Sequence, residues 1–333
     1  MSADSISLPD GFAEIRVRGK TTFVPSATIE GRTVISTGKW LKTAIIRDQD
    51  YVDGELVKDP ASFVAALKKS GLKADLFTFF QRPPEVAPKF NFHVAWDNYA
   101  AVPVETFKKW WEGVPQETRK NVRRSAKRGV EVKAVPFDDE LARGIHNLCN
   151  ETPVRQGKPF WHFGKDFETV KREHSTYLEQ SDFIGAFFEN QLIGFIKIIY
   201  VDRLAHILHI LAANAHYDKR PINGLIAKAV EICEQKGAGY FVYGQYTYGN
   251  KTQSSLVELK RRNGFEQINF PRYYVPLTWK GRMAVAFRLY RGAVGLLPSP
   301  VLKMAVATRD WLYKRNAPVP AAERSTETKE DAT

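Results

Sequence analysis

Cysteine is almost absent from this sequence: Cys149 and Cys233 are the only two in 333 residues. Two thiols build neither a disulfide framework nor a self-contained thiolate zinc site, and both are expected to stay reduced, Cys233 on the buried face of a helix. No spacing of the H-x-x-x-H or paired-cysteine kind occurs, so no metal is expected. No stretch approaches the roughly 20 apolar residues that a helix needs to cross a bilayer. The opening MSADSISLPDGFAEI has no basic segment leading into an apolar run and does not read as a secretory signal. The expected address is therefore the cytoplasm. Acids are the other shortage: 37 Asp and Glu stand against 49 Lys and Arg, a formal charge of +12. Such an excess favours anionic partners, whether nucleic acid, phosphorylated donors or substrates, or an acidic lipid surface.

Core-building residues are plentiful, at 44% hydrophobic and 12% aromatic, which excludes global disorder. The length suits two domains. From about residue 12 to 58 the chain alternates and breaks often, as short strands with turns at Gly31 and at Asp53-Gly54 do. DPASFVAALKKSGL then reads as a helix capped by Asp59, opened by Pro60 and closed by Gly71. ADLFTFFQRP is a buried strand stopped by Pro83-Pro84, and FNFHVAWDNYAAVPV is another strand. Alternating strands and helices imply an α/β or α+β layer structure.

RKNVRRSAKRG places Arg119, Lys120, Arg123, Arg124, Lys127 and Arg128 at helical spacing, with Gly129 ending the run. At about 100° per residue these cations cover roughly half the cylinder. Val122, Ser125 and Ala126 fall on the other half. A charge run is often no more than a solvated face. This one has few acids to pair with at i+4, which favours an anionic ligand.

Beyond it the order is legible: the strand VEVKAV, the helix DDELARGIHNLCNE, a loop rich in aromatic and basic residues, and the helix KDFETVKREHSTYLEQ. Three strands follow as an antiparallel meander turning at Glu189-Asn190 and Val201-Asp202-Arg203. Then come the amphipathic helix NGLIAKAVEICEQKG, the strand GYFVYG, the helix TQSSLVELKRRNG, and two strands, FEQINF and RYYVPLTW. Residues 281–315 read as two amphipathic basic helices, and 316–333 as a disordered tail. No internal repeat is visible in the sequence.

The series from about 130 to 278 resembles the GNAT acyltransferase fold. RKNVRRSAKRGVEV (119–132), NQLIGF (190–195) and LVELKRRNGFE (256–266) bring it closer to the Fem-like branch, whose members join two GNAT-like halves and in several cases use aminoacyl-tRNA. The resemblance implies a mixed sheet flanked by helices, with 1–110 a reduced first half and 111–280 the acyltransferase half. It implies an N-acyltransferase with no tightly bound cofactor. The donor is acyl-CoA or aminoacyl-tRNA, and the acceptor an amine of a cell-envelope or sugar precursor. The alternative is a non-catalytic protein of the same fold that binds RNA or another polyanion. Neither reading requires an obligate protein partner.

In the GNAT fold the helix after the fourth strand carries the donor's pyrophosphate, and HYDKRPING (216–224) stands there. A helix start, Lys219 and Arg220 together make an anion site, with Asn223 and Gly224 completing it. Lys219 and Gly224 match the first and last residues of the family loop. Ile222 stands where its other glycine is expected, and Pro221 removes an N–H. The cationic face at Arg123, Arg124 and Lys127 is expected to hold a polyanionic part of a substrate. RQGKPFWHFGK (155–165) offers Arg155, Trp161 and His162 to the acceptor. GQYTYGNK (244–251) adds Tyr246 and Lys251 where the sheet is expected to splay. Direct attack of an amine on an ester or thioester needs a base and an acid, for which Glu151 and Tyr248 are the candidates. The tail helices with their arginines, Trp311 and Tyr313 suit peripheral contact with the inner face of a membrane, or simple packing on the core.

Overall fold

The structure is a computed structural model and describes residues 11–17, 20–155, 157–247 and 254–291. The chain begins with a meander of four strands, β1 (Phe12–Val17), β2 (Lys20–Ile29), β3 (Arg32–Thr37) and β4 (Thr43–Ile46). Glu30 and Gly31, both at positive φ, make the β2–β3 turn. Helix α1 (Pro60–Lys69) starts where the Asp59 carboxylate accepts from the Ala61 N–H. Its Phe63 and Leu67, one turn apart, are fully buried. The helix returns the chain to β5 (Leu76–Phe80), parallel to β4, and β6 (His93–Pro103) follows.

Helices α2 (Phe107–Gly113) and α3 (Gln116–Lys127) lead into β7 (Glu131–Val135) and α4 (Asp139–Cys149). The next loop holds a small hairpin, β8 (Val154–Arg155) with β9 (Lys158–Pro159), before α5 (Phe167–His174). The meander β10 (Ser181–Phe188), β11 (Gln191–Val201) and β12 (Leu204–Ala212) turns at residues of positive φ, Glu189, Asn190 and Asp202. Then come α6 (Pro221–Gln235), β13 (Tyr240–Val242), α7 (Ser255–Arg262), β14 (Glu266–Pro276) and α8 (Trp279–Ala286).

The main sheet has the order β1-β2-β3-β4-β5-β14-β6-β13-β12-β11-β10-β7. It reads nearly the same from either end. On each side an antiparallel meander leads through a helix to a parallel strand: β4, α1, β5 on one side and β12, α6, β13 on the other. The middle pair is exchanged, since β14 lies beside β5 and β6 lies beside β13. A structural repeat is thus present that the sequence does not show.

Three expectations change. FEQINF and RYYVPLTW are one strand, β14, rather than two. The carbonyl of Pro271 accepts from the Gln81 N–H at 3.0 Å, so its missing N–H faces the end of β5 and the ladder to β6 runs on. Trp279 belongs to α8, which begins where the Thr278 hydroxyl accepts from the Gly281 N–H. On α3 the packed stripe is Thr118, Val122 and Ser125, and Ala126 is exposed, one step of about 100° beyond it. Both cysteines are buried and unbonded. Among the described residues no helix is long and apolar enough to cross a membrane.

Candidate active site

The sheet opens between β12 and β13. The two strands pair only over Leu204–His206 with Tyr240–Val242, whereas β12 continues to Ala212 bonded to β11 alone. Leu208 is bulged, because Lys197 faces His209 while Ile198 faces Ile207. The edge of β12 turned away from β11 therefore has no strand partner beyond His206 among the described residues. Unpaired strand edges of this kind hold extended ligands by backbone hydrogen bonds.

The opposite lip is the chain leaving β13, and β6 holds it. Asn98 Oδ1 accepts the N–H groups of Tyr246 and Thr247 at 2.8 and 3.1 Å. The Gln245 amide donates to Asp97 at 3.0 Å, and the other Asp97 oxygen pairs with Arg272 at 2.9 Å. Tyr246 is thus fixed beside the opening and packs on the core of α6 and β10–β13. Tyr248 and Lys251 lie outside the described residues.

Lys260 is the residue that the candidate sites left out. It is fully buried on α7, donates to the Gln245 carbonyl at 2.5 Å, and lies 4.8 Å from the Tyr243 ring. Burial lowers its pKa to about 8. The signal was available, because Leu256 and Val257 begin an apolar stripe that Lys260 continues one turn later.

The turn Asn214–Lys219 and the start of α6 lie at the far end of β12. Arg220 caps α6 at φ +56, its guanidinium 5.2 Å from the Tyr217 ring and its buried Nε without a partner. Lys219 lies over the Phe188 ring at 4.4 Å and 3.7 Å from Asp218. Arg128, at the end of α3, grips Asp218 at 2.6 Å, so the cationic helix is docked beside this turn. Gly224 serves that docking: a Cβ there would stand 3.2 Å from Ser125 Oγ and 3.1 Å from Val132. Asn223 is engaged with Asn263 at 3.2 Å. On α3 itself Arg119 donates to carbonyls of Trp111, Glu112 and Val114, and Arg123 lies 5.4 Å from the Trp111 ring. Arg124 and Lys127 are exposed, with no ion-pair partner among the described residues.

Glu151 and Arg155 brace the same turn from the loop after α4. The Glu151 carboxylate accepts from the N–H groups of Asn214 and Ala215 at 2.8 and 2.9 Å and pairs with Arg155 at 2.8 Å. Arg155 also donates to the Ala212 carbonyl at the end of β12, and Phe160 stacks on it. Trp161 and His162 follow. Their rings are in contact, and His162 lines a cavity under the loop with its pKa lowered to about 4 by burial and the Lys165 charge. Among the described residues no group of His, Cys, Asp and Glu is arranged to hold a metal ion.

No family model matches the sequence, and no curated protein does. Solved structures do match. A crystal structure of FemX superposes with a TM-score of 0.54 at 10% identity, over 80% of this chain and 89% of that one. The C-terminal domain of a putative lysylphosphatidylglycerol synthetase from Agrobacterium fabrum gives 0.50 at 13% identity, over 82% and 90%. At such identities the likeness is one of fold. The chain shares the fold of FemX, a large mixed sheet flanked by helices.

Proposed function

We propose that this chain is an N-acyltransferase that moves an acyl or aminoacyl group from acyl-CoA or aminoacyl-tRNA to an amine of a cell-envelope or sugar precursor. The observation that carries the reading is the opening of β12 from β13, with cations grouped where β12 ends. An activated donor lies along the free edge of β12, its phosphates toward Lys219, Arg220 and the exposed side of α3. The acceptor amine comes from the side of Tyr246 and Trp161. It attacks the carbonyl, the C–N bond forms, and the C–O or C–S bond of the donor breaks. The amine loses a proton and the leaving oxygen or sulfur gains one. Lys260, a charge buried beneath the Gln245 lip, stabilises the oxygen that becomes negative. Tyr248 is retained as the acid and Lys251 as a substrate contact. Glu151 is assigned a bracing role instead of the base, since three donors already occupy its carboxylate.

Within this reading residues 1–110 and 111–280 are two halves that exchange β6 and β14, and the second carries the chemistry. Peripheral contact with an acidic membrane face belongs to the same proposal. The α8 residues Trp279 and Met283 are exposed, as is Phe287 just beyond it, and they repeat at i+4. The second reading, a polyanion-binding protein without catalysis, rests on the exposed Arg124 and Lys127. The test is titration of CoA, acyl-CoA and charged tRNA against wild type and Lys219→Ala/Arg220→Ala, followed by mass spectrometry for a transferred group. Losing one charge-assisted contact should weaken donor binding by about 1.5–3 kcal/mol. Unchanged affinity removes this donor site, and binding without transfer to any amine leaves the second reading.

A further inference from the structure

Under the loop after α4 lies a cavity of about 110 Å³. Its walls come from Phe160, Trp161 and His162 on the loop, His174 at the end of α5, Phe195 on β11 and His209 on β12. His174 is 2% exposed, and neither of its ring nitrogens has a hydrogen-bond partner. His162 Nδ1 is likewise buried and unpartnered, 4.0 Å from the nearest Glu173 oxygen. The rings of His174 and His209 are 4.4 Å apart. The fixed charges nearby are turned toward other groups: Lys165 pairs with both Glu173 oxygens, and Lys197 donates to the carbonyls of His174 and Thr176. Burial holds His174 neutral, with its pKa lowered to about 2.

Three buried nitrogens without partners call for an occupant, because an unmet buried polar group costs about 1–3 kcal/mol. A neutral imidazole has one N–H and one acceptor nitrogen, so a group that both donates and accepts satisfies it. Aromatic walls and neutral imidazoles give a formal charge nothing to pair with. An apolar cavity of about 150 Å³ takes a benzene molecule, so this smaller one takes a group of about four or five heavy atoms. The position matters too. His209 is the first residue past the bulge at Leu208, on the strand whose free edge borders the opening.

We propose that this cavity binds a short, neutral group carrying a hydroxyl or amide. On the transferase reading above, on which this step rests, that group is the small end of the acyl or aminoacyl unit transferred. The same cavity filled only by water, about 30 Å³ per molecule, is the competing outcome.

The experiment uses the full chain labelled with ¹⁵N at histidine and follows the ring nitrogens by NMR. Glycolamide and propionamide are the probes, with hexanamide and acetate as controls. Saturable shifts at His162 and His174 are expected with the two short amides and none with the controls. His174→Phe, which fills the space, should abolish the response in a chain that still melts cooperatively. If that variant does not fold, His162→Phe, on the loop, takes its place. Ring nitrogens that ignore the short amides up to their solubility limits, or that respond equally to hexanamide, overturn the proposal. In a transfer assay the rate should fall roughly tenfold or more from glycolyl to hexanoyl donors. Amide binding without transfer from any donor would sink the transferase reading and leave the pocket. Transfer at a rate independent of acyl length would sink the assignment of this pocket to the transferred group.

Discussion

Acid should unfold this protein earlier than its carboxylates alone would. His162 and His206 have pKa values lowered to about 4 and His174 to about 2, in each case chiefly by burial. His206 sits between the Tyr51 and Tyr99 rings at 5.9 and 5.4 Å, with its Nε2 unpartnered. In the unfolded chain each of the three titrates near 6.5. The unfolded state thus holds about half a proton more per histidine than the folded state at pH 6.5, and close to one more between about pH 6 and 5. Stability rises with pH wherever the unfolded state binds more protons, so it is lost as pH falls through this window. The slope is about 1.4 kcal/mol per pH unit for each histidine, or roughly 4 for the three together. The three together remove about 6 kcal/mol by pH 5 and about 9 by pH 4, so a stability in the lower half of the usual range of roughly 5–15 kcal/mol is exhausted between pH 5 and 4. Urea unfolding followed by circular dichroism from pH 5 to 7.5 reads the slope. His206→Asn should reduce it by about 1.4 kcal/mol per pH unit, whatever the variant does to absolute stability. A stability that is flat from pH 7 to 5, or that rises on acidification, would refute the reasoning.

Three further outcomes are expected. Replacing Arg123, Arg124 and Lys127 by Gln should weaken the binding of a polyanionic donor and flatten its dependence on salt, whereas an unchanged salt slope would make α3 a solvated face only. Gly224→Ala sets a methyl group 3.1 Å from Val132 and 3.2 Å from Ser125, and this overpacking should outweigh the roughly 1 kcal/mol that alanine gains over glycine in a helix, for a net loss of up to about 2 kcal/mol in urea unfolding; a gain in stability would mean that the neighbours give way freely. Lys260→Met keeps the volume of the buried stem and removes the charge, so transfer should fall by roughly 10²–10³ with donor binding retained. Equal turnover would remove Lys260 from the site.

The second half was legible because its elements are local events. The turns at Glu189-Asn190 and Asp202, like the caps at Asp59 and Gly71 in the first half, each depend on a few adjacent residues, whereas α6 begins at Pro221, two residues before the Asn223 start that the sequence suggests. Strand exchange depends on none of these. Nothing in HVAWDNYAAVP says that its neighbours will be β13 and β14, since partners far apart in the chain are chosen by tertiary packing. Pro271 misled for the same reason: a proline breaks a strand only where its N–H is needed, and that side faces the end of β5. The site divided along similar lines. Lys219, Arg220, Arg155 and His162 announced themselves as charged or aromatic loop residues. His174 ends a charged helix and His209 sits in an apolar strand, and only the fold brings them to one cavity. Gly224 was read as a phosphate-loop glycine, yet its missing side chain is what lets Ser125 approach.

The near-symmetry of the sheet raises the question of whether there are two donor sites or one. Each half sends a helix between parallel strands, and each helix start offers the positive end of a dipole. The two starts are opposite in charge. At α1 the cap is Asp59, whose carboxylate already takes the Ala61 N–H. A phosphate arriving there meets a like charge. At α6 the cap is Arg220, with Lys219 before it and Arg128 close by. The strands differ in the same sense. β4 ends at Ile46, one residue past its pairing with β5, whereas β12 runs six residues past its pairing with β13 and leaves an open edge. One donor per chain is therefore expected in calorimetric titration. Asp59→Ser keeps a capping oxygen and should cost at most about 1 kcal/mol of stability. It should leave donor affinity and stoichiometry as they are, because no open strand edge accompanies α1. Two equivalent sites in the wild type, or a second site created by that substitution alone, would show that a helix start suffices and that the opening at β12 is not what binds the donor.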